Sequence, residues 1–170
     1  MESINEIICD INNSSRTLYI LCGLPYSGKT YLSGEIIKKT TAAYISIDEI
    51  FKELEFDWDK NKLPNKEEWD KIFNISYQKS QAALKKNLNV LYDSTNHTKE
   101  SRDSLRKISQ EVNASAKVIY IDVPIEIIWK RWEENNIKNN RPVISKQLVE
   151  MTIKSLEIPT EKENFFIIKN

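Results

Sequence analysis

The chain has 170 residues, enough for one domain that buries roughly 70% of its unfolded surface. Its 25 Lys+Arg balance 25 Asp+Glu, which excludes a general electrostatic pull toward polyanions or anionic lipid and confines any nucleic-acid contact to a local patch. With 40% hydrophobic residues, 3 Gly and 5 Pro the composition excludes a disordered or fibrous chain, and one His with two distant cysteines, Cys9 and Cys22, excludes a zinc site or a disulfide framework.

Residues 1–16 are too polar for a signal peptide and read as an N-terminal extension. No apolar run approaches the ~18 residues of a membrane span, so a soluble, cytoplasmic protein is expected. The run TLYILCG at 17–23 predicts a first strand, followed by a helix over 29–39. Strands are predicted again at 43–47, 89–94, 116–123 and 164–170, and helices at 49–55, 65–88, 98–112, 124–136 and 145–157. Two stretches interrupt this rhythm, the loop 56–64 and the asparagine-rich 136–144, and the span 124–144 reads as a lid on a single domain. The first four strands are continuous apolar runs, the pattern of parallel strands covered on both faces, so the fold class is a three-layer α/β sandwich with right-handed crossovers. In 65–88, Trp69, Ile72, Phe73, Tyr77, Leu84 and Leu88 recur at helical spacing, which makes the aromatic stripe core rather than a base-stacking platform.

Gly23-Leu24-Pro25-Tyr26-Ser27-Gly28-Lys29-Thr30 is G-x-x-x-x-G-K-T between an apolar strand and a helical pattern, the context this phosphate-binding motif requires. The glycines let successive amides turn toward an anion, and the new helix adds its positive N-terminal end. Lys29 reaches the outer phosphates, Thr30 suits Mg²⁺, and Gly23, Pro25, Tyr26, Ser27, Gly28 and Tyr31 complete the nucleotide-binding set. Tyr26, where such loops often carry glycine, either restricts the loop or rests on the nucleotide.

Two carboxylates close apolar runs. Asp48 follows the second strand and is the candidate general base; it also fits the N-cap of the helix beginning near Glu49. Asp93 ends NVLYDS, the Walker-B form in which an aspartate orients Mg²⁺. Asp122 competes with it, but Pro124 makes a helix cap the better account there. His97 reads as a polar loop residue, and Trp129 and Trp132 as packing for the lid helix or a platform for adenine.

GLPYSGKT, YISIDEI, LYDSTNHTKESR and VIYIDVP come in the order seen in the small P-loop kinases grouped as AAA_33 or zeta-toxin-like ATP-binding proteins, and the chain resembles them over 17–168. Relatives of that kind include the polynucleotide 5′-hydroxyl kinase domain, seryl-tRNA kinase and chloramphenicol phosphotransferase. The resemblance implies a five-stranded sheet ordered 2-3-1-4-5 and transfer of the γ-phosphate of ATP, or GTP, to an acceptor hydroxyl with Mg²⁺. It implies that Asp48 contacts that hydroxyl, that Asp93 and Asn96 lie near metal or acceptor, and that Arg102 faces the acceptor. It also implies that Arg131 and Arg141 close from the lid. Phe51 stands where the polynucleotide kinases carry an acceptor-phosphate arginine, which counts against recognition of a nucleic-acid 3′-phosphate, and the apolar surface of Phe51, Phe56 and Trp58 favours a small organic hydroxyl compound over an RNA or DNA end. A nucleotide-binding switch or regulatory ATPase without an acceptor is the alternative from another class.

Overall fold

All six residues of β1 (Thr17–Cys22) are buried, as a strand covered on both faces requires, in a computed structural model that describes residues 3–57, 62–138 and 142–169. This strand pairs in parallel with β3 (Val90–Asp93) on one side and β4 (Ser115–Asp122) on the other. Beyond β3 lies β2 (Ala43–Ser46), with Ser46 opposite Asp93, and beyond β4 lies β5 (Phe165–Lys169). The order β2-β3-β1-β4-β5 is the expected one.

Alternation along β1 divides the core. Leu18, Ile20 and Cys22 face α3 (Ile47–Glu53), α4 (Lys66–Lys85) and α5 (Lys99–Gln110). Tyr19 and Leu21 face α1 (Ile4–Asn13), α2 (Lys29–Ile37), α6 (Ile125–Lys138) and α7 (Lys146–Lys154). Among the described residues no helix is long and apolar enough to cross a membrane. The aromatic stripe of α4 packs as core: Trp69 lies 5.8 Å from Phe51 and 6.1 Å from Phe73 between ring centroids.

Residues 1–16 hold a helix that the sequence reading left as an extension. Ser3 and Glu6 form a capping box, and Ile7, Ile8 and Ile11 bury one face of α1. Asn89 fastens its end, donating to the carbonyls of Ile11 at 2.7 Å and Ser14 at 2.9 Å while accepting from the Thr17 amide at 3.0 Å. A second difference lies at β2. Ser46 accepts from the Glu49 amide at 3.3 Å, so α3 starts two residues before the expected Glu49 and Asp48 sits in its first turn.

Arg102, which the resemblance placed at the acceptor, is fully buried. Its Nε and Nη2 donate to the two carboxylate oxygens of Glu163 at 2.7 and 3.1 Å, and Nη1 donates to the Asn96 carbonyl at 3.1 Å. Arg106 adds a 2.8 Å bond to the same carboxylate. Burial alone would lift the Glu163 carboxyl, but the bonds from Arg102 and the Thr160 amide, with the charges of both arginines, hold it below its ordinary 4.5. Glu163→Gln leaves Arg102 buried without its counter-charge, so urea unfolding should show a loss of about 3–5 kcal/mol. A carboxyl with a depressed folded pKa contributes stability fully above pH 4.5 and loses it as the pH falls through the folded value. That acid slope should be shallower in the variant.

Candidate phosphate-binding site

Residues 23–28 leave the carboxyl end of β1 and enter α2 directly, which gathers the loop amides and a helix N-terminus at one sheet edge. The loop needs left-handed backbone at Tyr26 (φ 64°) and Gly28 (φ 99°). Glycine adopts it freely, whereas Tyr26 carries a cost of roughly 1 kcal/mol that its buried ring offsets. A Cβ on Gly23 would lie 3.0 Å from Ser27 Oγ and 3.2 Å from the Ile121 carbonyl oxygen, so a side chain there requires the loop to give by a few tenths of an ångström. The Lys29 ammonium donates to the carbonyls of Gly23 and Leu24 at 2.9 and 2.8 Å, spanning the cradle. Thr30 is exposed in the first turn of α2, whereas the Tyr31 side chain is 75% exposed and within electrostatic reach of Lys38, down the helix from the cradle.

Asp93 ends β3 in a buried position, and its Oδ2 accepts from the Tyr44 hydroxyl at 2.7 Å and from Ser33 Oγ at 3.1 Å. Asp48 stays open to solvent, yet the protein crowded around this cleft raises its pKa; the charge of Asp93 adds to the rise, and Lys29 and Lys52 oppose it. Asp48 is thus within electrostatic reach of both Asp93 and Lys29. With Ser46 as the cap of α3, Asp48 is released from the capping role. The exposed Thr30 hydroxyl, the Asp93 carboxylate and phosphate oxygens suit Mg²⁺, which is commonly held by one or two carboxylates with substrate phosphates and water. Consistent with that sparse set, the described residues form no cluster of three or more His, Cys, Asp or Glu.

Arg131 on α6 reaches the loop, donating to the carbonyls of Tyr26 and Ser27 at 3.1 and 3.3 Å. Tyr26 restricts the loop through its hydroxyl, which accepts from the Ile144 amide at 3.4 Å, while Trp132 Nε1 donates to the Ile144 carbonyl at 2.8 Å. Trp129 and Trp132 meet edge-on at 5.8 Å, so the pair packs α6. Arg141, and Trp58 of the loop 56–64, lie outside the described residues.

Three of the residues expected to bind the acceptor are core instead. Phe51 is 2% exposed among Phe56 and Trp69, Asn96 is buried and donates to the Leu21 carbonyl at 2.8 Å, and Arg102 is taken by Glu163. His97 contacts Ser155 Oγ through Nε2 at 3.0 Å; burial lowers its pKa, Lys29 and Arg102 lower it further, and Glu157 opposes them. Tyr44 and Ser33 were not singled out from the sequence, although Ser33 stands one helical turn beyond Thr30.

A family model described as "Chromatin associated protein KTI12" matches residues 17–165. The chain belongs to the KTI12 family. No curated protein matches the sequence. Kti12 of Chaetomium thermophilum in complex with ADP-AlF3 superposes with a TM-score of 0.62 at 20% identity, covering 89% of this chain and 88% of that one. A sugar kinase from Janibacter sp. HTCC2649 gives 0.66 at 15% identity, covering 91% and 85%. A chain of the Pnkp1/Rnl/Hen1 RNA repair complex gives 0.72 at 23%, covering 85% of this chain and 45% of that one. These likenesses establish the P-loop kinase fold and agree with the resemblance drawn from the motifs.

The two glycines that can be compared make opposite predictions for this KTI12-family chain. Gly23→Ala forces a methyl against Ser27 and Ile121, and ATP affinity measured by calorimetry should fall tenfold or more. At Gly34, in α2, a Cβ meets nothing within 4 Å, so Gly34→Ala should leave affinity unchanged and add about 0.5–1 kcal/mol of stability. Equal affinity for the two variants would count against the cradle.

Proposed function

We infer that this chain transfers the γ-phosphate of ATP, with GTP as the second candidate, to an acceptor hydroxyl. The observation that carries the reading is the Asp48 carboxylate, uncommitted to capping and within electrostatic reach of Lys29 and Asp93. In that arrangement Asp48 takes the hydroxyl proton as the acceptor oxygen bonds to the γ-phosphorus and the bond to the β,γ-bridging oxygen breaks, releasing ADP. Lys29 and the loop amides hold the phosphates, and Arg131, already on the loop, adds positive charge where it develops. Thr30 and Asp93 would hold Mg²⁺, which supplies charge neutralisation between the outer phosphates. The solved relatives support the nucleotide and hydroxyl classes, since they include a sugar kinase, a component of an RNA repair complex and a Kti12 with ADP-AlF3.

With Phe51 withdrawn into the core, the expected apolar acceptor wall loses one member; Phe56 is half-buried, and Trp58 lies outside the described residues. A small organic hydroxyl and a nucleic-acid end are therefore both acceptors to screen. The second reading, a nucleotide switch or ATPase without an acceptor, is favoured by the family's description as chromatin associated rather than as a kinase.

Asp48→Asn separates the two. For a phosphotransferase, labelled-phosphate transfer should fall by about 10²-fold or more with ATP affinity unchanged. A switch or simple ATPase keeps its turnover. The pH profile carries a sign as well: because the Asp48 carboxyl is raised above its ordinary 3.8, kcat/KM should climb with pH through that raised value and level off. The asparagine variant should lack that limb.

A further inference from the structure

Asp93 is held by two hydroxyl donors of unequal commitment. Ser33 Oγ has one proton and two acceptors at 3.1 Å, the Thr30 carbonyl and Asp93 Oδ2. Tyr44 donates to Asp93 Oδ2 at 2.7 Å and has no other acceptor as close, its hydroxyl lying 3.5 Å from Ser33 Oγ. The phenol comes from β2 and the carboxylate from the end of β3, two paired strands, so the bond is set by sheet register rather than by a mobile loop. Among the described residues no donor bonds Oδ1, which leaves that oxygen as the one Asp93 can offer to the cleft. Ser33 ties the same carboxylate to the turn of α2 that carries Thr30.

We propose that Tyr44 is a positioning residue that fixes the Asp93 carboxylate through Oδ2, so that Oδ1 is presented to a divalent cation bound with the nucleotide. The inference rests on the proposed nucleotide reading and extends it to a residue outside the P-loop motif. Tyr44 acts by removing the carboxylate's rotation, and Ser33 is the lesser partner that keeps the Asp93 side of the cleft in step with Thr30. The preorganised ligand should show in metal affinity before it shows in any rate.

The test is ADP binding by calorimetry across a Mg²⁺ titration, with and without the metal, beside a thermal melt. In Tyr44→Phe the Mg²⁺ concentration for half-maximal enhancement of ADP binding should rise about tenfold with metal-free ADP affinity unchanged, beside the drop in melting temperature that loss of the Tyr44 hydroxyl bond brings. Ser33→Ala should shift it about threefold. In an Asp93→Asn background, Tyr44→Phe should add less than twofold, since the two act as a unit. Unchanged Mg²⁺ dependence in Tyr44→Phe, or a lowered melt with the same Mg²⁺ dependence, overturns the positioning role. So does a larger shift in Ser33→Ala than in Tyr44→Phe. A wild-type chain whose ADP binding ignores Mg²⁺ overturns this inference together with the reading beneath it; a metal-dependent wild type with an indifferent Tyr44→Phe overturns this one alone.

Discussion

Parallel pairing of β1 with both β3 and β4 is the constraint on which the site depends, because it sends three chain reversals out of one sheet edge. A crevice opens at such a switch point, where neighbouring crossovers leave in opposite directions. The reversals are then knitted together. The Gly23 amide donates to the Thr95 carbonyl at 3.1 Å, Asn96 bonds the Leu21 carbonyl, and Arg131 spans from α6 to the loop. On the far side of β3, the pairing of Ser46 with Asp93 brings the first turn of α3 alongside, and Asp48 with it. No segment has to travel to assemble the constellation; the register of four strands does it.

The charge of Asp93 opposes ionisation of Asp48. The structure treats the two carboxylates unequally. Asp93 accepts from the Tyr44 and Ser33 hydroxyls, which fix its carboxylate in place. Asp48 receives no such bond among the described residues and carries the raised pKa. The raised proton affinity of Asp48 suits its proposed role, to accept a proton and release it. Lys29 moderates the effect on Asp48, and its position inside the loop links the proton-handling side to the phosphate side.

The sheet was legible because its first four runs are apolar and continuous, and the P-loop because its spacing is specific. The residues lost to the reading share a physical cause. Arg102, Asn96 and Phe51 were assigned by their distance along the chain from a motif, and linear distance says nothing of burial; Glu163, some sixty positions away, decides where Arg102 goes. Tyr44 and Ser33 were missed for the opposite reason, since a tyrosine in an apolar strand and a serine inside a helix look like packing until a carboxylate from another strand is placed between them. Helix α1 was readable in principle from Ser3, Glu6 and the isoleucines at 4, 7, 8 and 11. Its polar remainder concealed it.

The buried arginine also explains why the 94–98 loop can serve the site without contacting substrate through Arg102. A guanidinium offers its donors in a fixed fork, and here the fork is divided between Glu163 and the Asn96 carbonyl, with Nη1 also 3.7 Å from Cys22 Sγ. One rigid group thus holds the end of β1, the reversal after β3 and the 3₁₀ turn at Glu161–Glu163 that leads into β5. Asn96 takes a left-handed conformation at φ 43°, which such support can hold at modest cost. The Cys22 thiol, pushed up to about 11 by burial, stays protonated beside it and adds no negative charge near the cradle. Removing the arginine would free the very loop whose Thr95 carbonyl anchors Gly23, so a residue remote from the phosphates sets the shape of the loop that binds them.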